Sequence, residues 1–185
     1  MSRKTVKLIS VIFFMLTAIF YLLHEKHSFP VQQKTSAFVP VVVVHDGDTV
    51  SVIINNTKEK IRLIGIDAPE IAQKPWGEKA KKYLEALLSS SEWNVKLEFD
   101  VDKRDKYGRL LAYIWTTDGK LINLLMVKSG YAMLFTFPPN VKYVTELKVA
   151  QREARDRGLG IWADPSVDGG LKERPGDYRR KHPRI

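Results

Sequence analysis

The sequence predicts an α+β fold, a small five-stranded β-barrel packed with three helices, on three observations. Five short runs rich in β-branched residues lie between Asp-Gly and Asn-Asn turn signals. Three other segments carry apolar residues at helical spacing. Strands and helices alternate too rarely for a doubly wound α/β sheet, and the order β-β-β-α-β-β-α-α suits a twisted barrel instead.

The first three strands are expected at residues 39–44, 49–54 and 60–66. The fourth, 95–99, alternates Val, Leu and Phe with Lys and Glu at period two, and the fifth covers 110–116 before Asp118-Gly119. Between them, Ala80, Tyr83, Leu84, Leu87 and Leu88 form one helical stripe. A second helix at about 121–129 ends at Gly130, and a third at about 141–157 buries Tyr143, Leu147, Ala150 and Ala154 and ends before Gly158. Beyond Trp162, Gly169-Gly170, Pro175 and the run Arg179-Arg180-Lys181 read as a loosely ordered tail.

The chain has 185 residues and no cysteine, which removes disulfide scaffolds, thiolate zinc sites, iron-sulfur clusters and cysteine nucleophiles. Its four histidines are His24, His27, His45 and His182, too scattered for a multi-histidine centre. The formal charge of +9 sits mostly at the ends. Residues 1–37 hold five Lys/Arg against one acid and 165–185 hold six against three, whereas 38–164 hold 19 against 17. The isoelectric point alone therefore does not argue for a phosphate-binding face.

Arg3, Lys4 and Lys7 precede an uncharged run over residues 8–23, followed by His24, Glu25 and Lys26. Basic residues ahead of an apolar run mark an export element, with the rest of the chain outside the cytoplasm. As a helix the run spans about 24 Å against a hydrocarbon layer of about 30 Å. The nearest candidate cleavage site, Thr35-Ser36-Ala37, lies well downstream, which favours an uncleaved membrane anchor over a secreted form. The expected organisation is an anchor or signal segment at 1–28, a linker at 29–37, the folded domain at 38–164 and a basic tail at 165–185.

Four places put charge where a β-rich chain does not need it. They are His45-Asp46-Gly47-Asp48-Thr49, Arg62 within a β-branched run, Asp67-Ala68-Pro69-Glu70, and Asp105-Lys106-Tyr107-Gly108-Arg109. Each alone has an ordinary explanation: an Asx turn, a surface arginine, a helix N-terminal cap, a charged β-turn. If the strands close into one barrel end, Asp46, Asp48, Asp67 and Glu70 against Arg62 and Arg109 leave an excess of two negative charges, which a divalent cation would neutralise. Hard oxygen donors point to calcium or magnesium, and the spacing does not match an EF-hand. Two arginines and a spare carboxylate are what phosphodiester hydrolysis requires.

Residues 45–162 resemble the staphylococcal nuclease (thermonuclease) family. The resemblance rests on Asp46-Gly47-Asp48-Thr49-Val50, on Arg62-Leu63 through Asp67-Ala68-Pro69-Glu70, on Asp105 to Arg109, and on Gly158-Leu159-Gly160-Ile161-Trp162, four blocks in the family's order. It implies an OB-fold barrel with three helices, and a Ca²⁺ site built from the carboxylates of Asp48 and Asp67 and the carbonyl of Ala68, with Asp46 behind them. It also implies Arg62, Glu70 and Arg109 as the catalytic trio, and Lys106, Tyr107, Phe135 and Phe137 as the groups that meet the nucleotide. The implied activity is cleavage of DNA and RNA with little sequence preference, leaving 3′-phosphate ends, by a domain acting as a monomer. Ala68 stands where the best-known member has threonine, a change that keeps the carbonyl. Phe135 and Phe137 replace two tyrosines, so rings remain without hydroxyls. The loop at 71–76 is short and leaves Lys74 as its only lysine, which implies weaker substrate binding. A non-catalytic nucleic-acid-binding module on the same barrel is the rival reading, and a purely structural calcium site is a weaker one.

Overall fold

The computed structural model describes residues 13, 15, 17, 38–164, 166 and 169–183. The chain divides into two units, Met1–Lys34 and Thr35–Ile185. In the first, the described residues Phe13, Met15 and Thr17 are helical, and the Thr17 hydroxyl donates to the Phe13 carbonyl at 3.1 Å. The rest of the expected export segment and the linker lie outside the described residues. Among the described residues no helix is long and apolar enough to cross a membrane.

The second unit is built on a closed five-stranded barrel. Its strands are β1 (Val39–Val44), β2 (Thr49–Ile54), β3 (Thr57–Leu63), β5 (Asn94–Glu98) and β6 (Leu110–Trp115), in the order β1-β2-β3-β6-β5. All neighbours are antiparallel except β3 and β6. Val50, Val52, Ile61, Leu63, Val95, Leu97, Ala112 and Ile114 fill the interior, as the period-two pattern requires. Between β2 and β3, Asn55 and Asn56 both take positive φ, the conformation of a two-residue hairpin turn, so β3 begins at Thr57, three residues earlier than expected.

The expected third strand is in fact two. Gly65, at φ 79°, turns the chain out of the barrel, and Gly65–Asp67 becomes β4, paired with β7 (Met133–Phe135) in a separate two-stranded ribbon. Helix α1 (Trp76–Ser89) buries Ala80, Leu84 and Leu88 against the barrel, as its stripe indicated. Helices α2 (Ile122–Lys128) and α3 (Val144–Asp156) pack on each other and on the ribbon, each slightly shorter than its periodicity suggested. Leu147 and Ala150 of α3 join the same core.

The C-terminal stretch departs from the sequence expectation. Instead of a loose tail it forms a fourth helix, α4 (Pro175–Lys181). Pro175 at the first turn, Asp177 just after it and Arg179, Arg180 and Lys181 in the last turn suit the ends of a helix dipole. Buried Pro175 and two hydrogen bonds tie the stretch down: Trp76 Nε1 donates to the Gly169 carbonyl at 2.7 Å, and Gln73 Nε2 to the Glu173 carbonyl at 2.9 Å.

Candidate active site

The site grows out of the β2–β3 pairing. Register places Thr49 opposite Arg62, so Asp48, one residue earlier, stands beside the arginine, and the Leu63 amide donates to the Asp48 carbonyl at 2.8 Å. Gly47 lets this turn approach the interior, because a Cβ there would sit 2.7 Å from the Cβ atoms of both Ala68 and Ala80. The glycine therefore serves close packing. Asp46 accepts the Asp48 amide at 3.1 Å, which makes the ordinary Asx turn a real part of the structure.

Arg62 is the centre of the cluster. Its guanidinium donates to the Leu63 carbonyl at 2.6 Å and the Ile66 carbonyl at 3.0 Å. The same group lies 3.1 Å from Asp48 Oδ2 and 3.3 Å from Asp67 Oδ1, and its side chain is only 14% exposed. It is no surface arginine. The β4 kink after Gly65 makes this possible by bending Ile66 and Asp67 back over the end of β3. Asp48 Oδ2 also accepts the Ala68 amide at 2.8 Å, so the two acidic segments are joined directly as well as through the arginine.

Glu70 is not part of a helix cap, since α1 begins six residues later. Its amide donates to Gln73 Oε1 at 3.0 Å and its carbonyl accepts the Gln73 amide at 2.8 Å, closing a tight loop. Asp48, Asp67 and Arg62 are thus brought together at one end of the barrel, and Glu70 is joined to Asp67 through the guanidinium of Arg179.

Arg109 is delivered by its own turn. Asp105 accepts the Tyr107 and Arg109 amides at 2.9 and 3.0 Å and the Arg109 Nε at 2.7 Å, so the charged β-turn is also a positioning device. Strand β6 then runs parallel to β3, with Leu111 opposite Arg62, which carries Arg109 to the same end of the sheet. Tyr107 and Phe137 are 73% and 75% exposed and Phe135 is 49% exposed, all unusual for aromatic rings. Lys106 lies over the Tyr107 ring with Nζ 5.1 Å from its centroid, Phe135 faces Gly65 across the ribbon, and Phe137 bridges to Asn140.

One functional group escaped the sequence reading. Arg179 of α4 places Nη2 at 2.8 Å from both oxygens of Asp67 and Nη1 at 2.9 Å from Glu70 Oε1. It stands in a basic run that reads as solvated charge. The helix signature around it, Pro175 first and cations last, was the available signal. With Arg179 counted, two guanidinium groups, those of Arg62 and Arg179, contact the clustered carboxylates, while Arg109 pairs with Asp105.

Burial sets the electrostatics. It pushes the Asp46 carboxyl up to about 6, helped by the charge of Asp48. Burial also raises Asp67, with Asp48 adding to the effect and Arg62 and Arg179 opposing it. Burial opposes the charge of Arg179, yet its bonds to Glu70 and Asp67 prevail and hold it protonated. Such crowding of carboxylates favours an added cation.

The donors suit a hard divalent ion, being carboxylates and main-chain oxygens. Among the described residues no group of three or more His, Cys, Asp or Glu is placed to hold a metal. A cation here would therefore draw on Asp48, Asp67 and a backbone oxygen such as that of Ala68, and it would meet Arg179 on the same carboxylate.

The comparison with known families decides the lineage. A model described as staphylococcal nuclease homologue matches residues 60–164. The chain belongs to the staphylococcal nuclease family. The match begins after Asp46-Gly47-Asp48, so it is the β2–β3 register that adds Asp48 to the family segment. Over 125 residues the chain is 39% identical to endonuclease YncB of Bacillus subtilis (strain 168), covering 64% of this chain and 58% of that protein. It is 38% identical over 124 residues to a thermonuclease of Staphylococcus intermedius, covering 64% and 72%. It is 37% identical over 142 residues to the SPbeta prophage-derived endonuclease YokF of Bacillus subtilis (strain 168), covering 70% and 47%. The chain thus spans about half to under three quarters of the length of these relatives.

Proposed function

We propose that this chain is a calcium-dependent nuclease that hydrolyses phosphodiester bonds of DNA and RNA with little sequence preference and leaves 3′-phosphate ends. The observation that carries the proposal is Arg62 held between Asp48 and Asp67, with Glu70 joined to Asp67 through Arg179, in a chain of this family. Such an array serves phosphoryl chemistry: guanidinium groups stabilise the charge that develops on the equatorial oxygens, and a nearby carboxylate accepts the proton of attacking water. In this reading Glu70 is the base and Arg62 and Arg109 hold the phosphoryl oxygens. Asp48, Asp67 and the Ala68 carbonyl bind calcium, which when bound supplies further positive charge against the phosphate. The names endonuclease and thermonuclease borne by the relatives support the same activity.

The exposed rings of Tyr107, Phe135 and Phe137, with Lys106, offer stacking faces to bases, which suits substrate binding without sequence readout. The apolar run behind Arg3, Lys4 and Lys7 supports action outside the cytoplasm, by a domain anchored through its N-terminus or released by cleavage.

Single-stranded DNA and RNA, incubated with the protein in saturating calcium and then with a calcium chelator, test the activity. Cleavage confined to the calcium arm, with product ends carrying 3′-phosphate by mass spectrometry, is expected. Glu70→Gln should lower turnover by about 10²- to 10⁴-fold. Binding without cleavage in both arms would favour the non-catalytic module, and undiminished turnover in Glu70→Gln would remove Glu70 as the base.

A further inference from the structure

Arg179 lies where neither the family match, which ends at residue 164, nor the sequence motifs reach. Its guanidinium covers both oxygens of Asp67 and one oxygen of Glu70. These carboxylates are the ones the proposed chemistry needs open, one for a cation and one for a water proton. One guanidinium nitrogen, Nη2, shared between both oxygens of Asp67 takes up lone pairs that a cation would use.

The contact is built rather than incidental. Residues 169–182 cross the barrel end as a strap with several anchors. The Leu171 amide donates to the Ile161 carbonyl at 3.1 Å, Trp76 holds the Gly169 carbonyl, Gln73 holds the Glu173 carbonyl, and Pro175 is buried. Gln73 also accepts the Glu70 amide, so one side chain ties the strap to the loop that carries the base. Gly176 brings the α4 backbone close to Asp67, since a Cβ added there would lie 3.9 Å from Asp67 Oδ2. The neighbouring Arg180 and Lys181 are 80% and 69% exposed and pair with Asp177 and Glu173, within the strap itself. Of three consecutive cations, one is turned inward.

We infer that the 169–182 strap is an autoinhibitory element whose Arg179 guanidinium occupies the place of the divalent cation on Asp67, so that cation binding and strap docking exclude one another. The inference rests on the proposed cation site. Because the two states are exclusive, removing the guanidinium raises cation affinity, and adding the cation releases the strap. A coupling of ordinary size between two such sites corresponds to roughly 5- to 150-fold in affinity.

Calorimetric titration of calcium into the full chain, Arg179→Ala and Arg180→Ala tests this. Arg179→Ala should bind calcium at least about 5-fold more tightly than the parent, and Arg180→Ala like the parent. On the unmodified protein, saturating calcium should speed amide hydrogen exchange across 171–182 while leaving β2 and β3 protected, a readout that needs no variant. Equal or weaker calcium binding by Arg179→Ala, or unchanged exchange in the strap, overturns the inference and leaves the cation site standing. Failure of all three proteins to bind calcium overturns both.

Discussion

Replacing Arg62 by methionine keeps most of the side-chain volume and removes the charge, which isolates the electrostatic role of this residue. Four acceptors each lose one donor at once: the carbonyls of Leu63 and Ile66 and the carboxylates of Asp48 and Asp67. Both carboxylate side chains are under a tenth exposed, so water does not replace the guanidinium easily. Breaking a buried ion pair by removing one partner costs about 3–5 kcal/mol. Arg179 still pairs with Asp67, which places the expected loss nearer about 3 kcal/mol. The assay is urea unfolding followed by tryptophan fluorescence in a chelator, since guanidinium chloride would itself screen the pairs. The loss should shrink in acid, because burial already raises Asp67 and a protonated carboxyl no longer needs the arginine. A loss below about 1 kcal/mol at neutral pH, or one that does not fall with pH, would refute the picture of Arg62 as the counter-charge that holds the barrel end together.

Three further outcomes follow from other contacts. Asp46 has a folded pKa near 6 against an ordinary 3.8, so its ionisation opposes folding as pH rises through that window. Asp46→Asn, which keeps the acceptor for the Asp48 amide, should raise stability in chelator at pH 7.5 by at most about 3 kcal/mol and have little effect at pH 3.5. Glu98 behaves oppositely. Burial acts to raise it, but hydrogen bonds from Lys142, Tyr143 and Trp115 outweigh that and hold it below the usual carboxylate range, so its stabilisation is present above the unfolded pKa and fades as pH falls through the folded one. Glu98→Ala should lower the melting temperature at neutral pH and much less below pH 3. Gly47→Ala drives a methyl group into Ala68 and Ala80 and should cost about 1–3 kcal/mol, with no change expected from the same substitution at exposed Gly119 beyond its positive-φ penalty. Thermal unfolding of the two variants side by side separates packing from backbone strain.

The barrel was readable because its strands alternate so regularly. Val50, Val52, Val95 and Leu97 point inward at every second position, the pattern of a sheet with one buried face. The break at Gly65 was not readable. Ile64, Gly65 and Ile66 continue the β-branched run, and only pairing with a strand 68 residues further on decides that the chain leaves the barrel there. Arg62 illustrates the same limit at the level of one side chain. Its position within the run was plain, but its contact with Asp67 depends on that same departure. Arg179 lies further out of reach: adjacent Arg180 and Lys181 have equal local claims, and the choice among them is made by how α4 docks, which no short-range pattern encodes.

The β4–β7 ribbon gears Asp67 and the exposed ring of Phe135 together. Asp67 and Met133 are partners at one end of its ladder, Gly65 and Phe135 at the other. A slip of one residue in either arm would displace the facing positions by about 3.3 Å and reverse which side each side chain faces. Insertions in the 136–142 loop spare this gearing, while one between Gly65 and Asp67 moves the acid away from Arg62 and the exposed ring off its seat in a single stroke. Tolerance to length change should therefore differ sharply between these two neighbouring stretches.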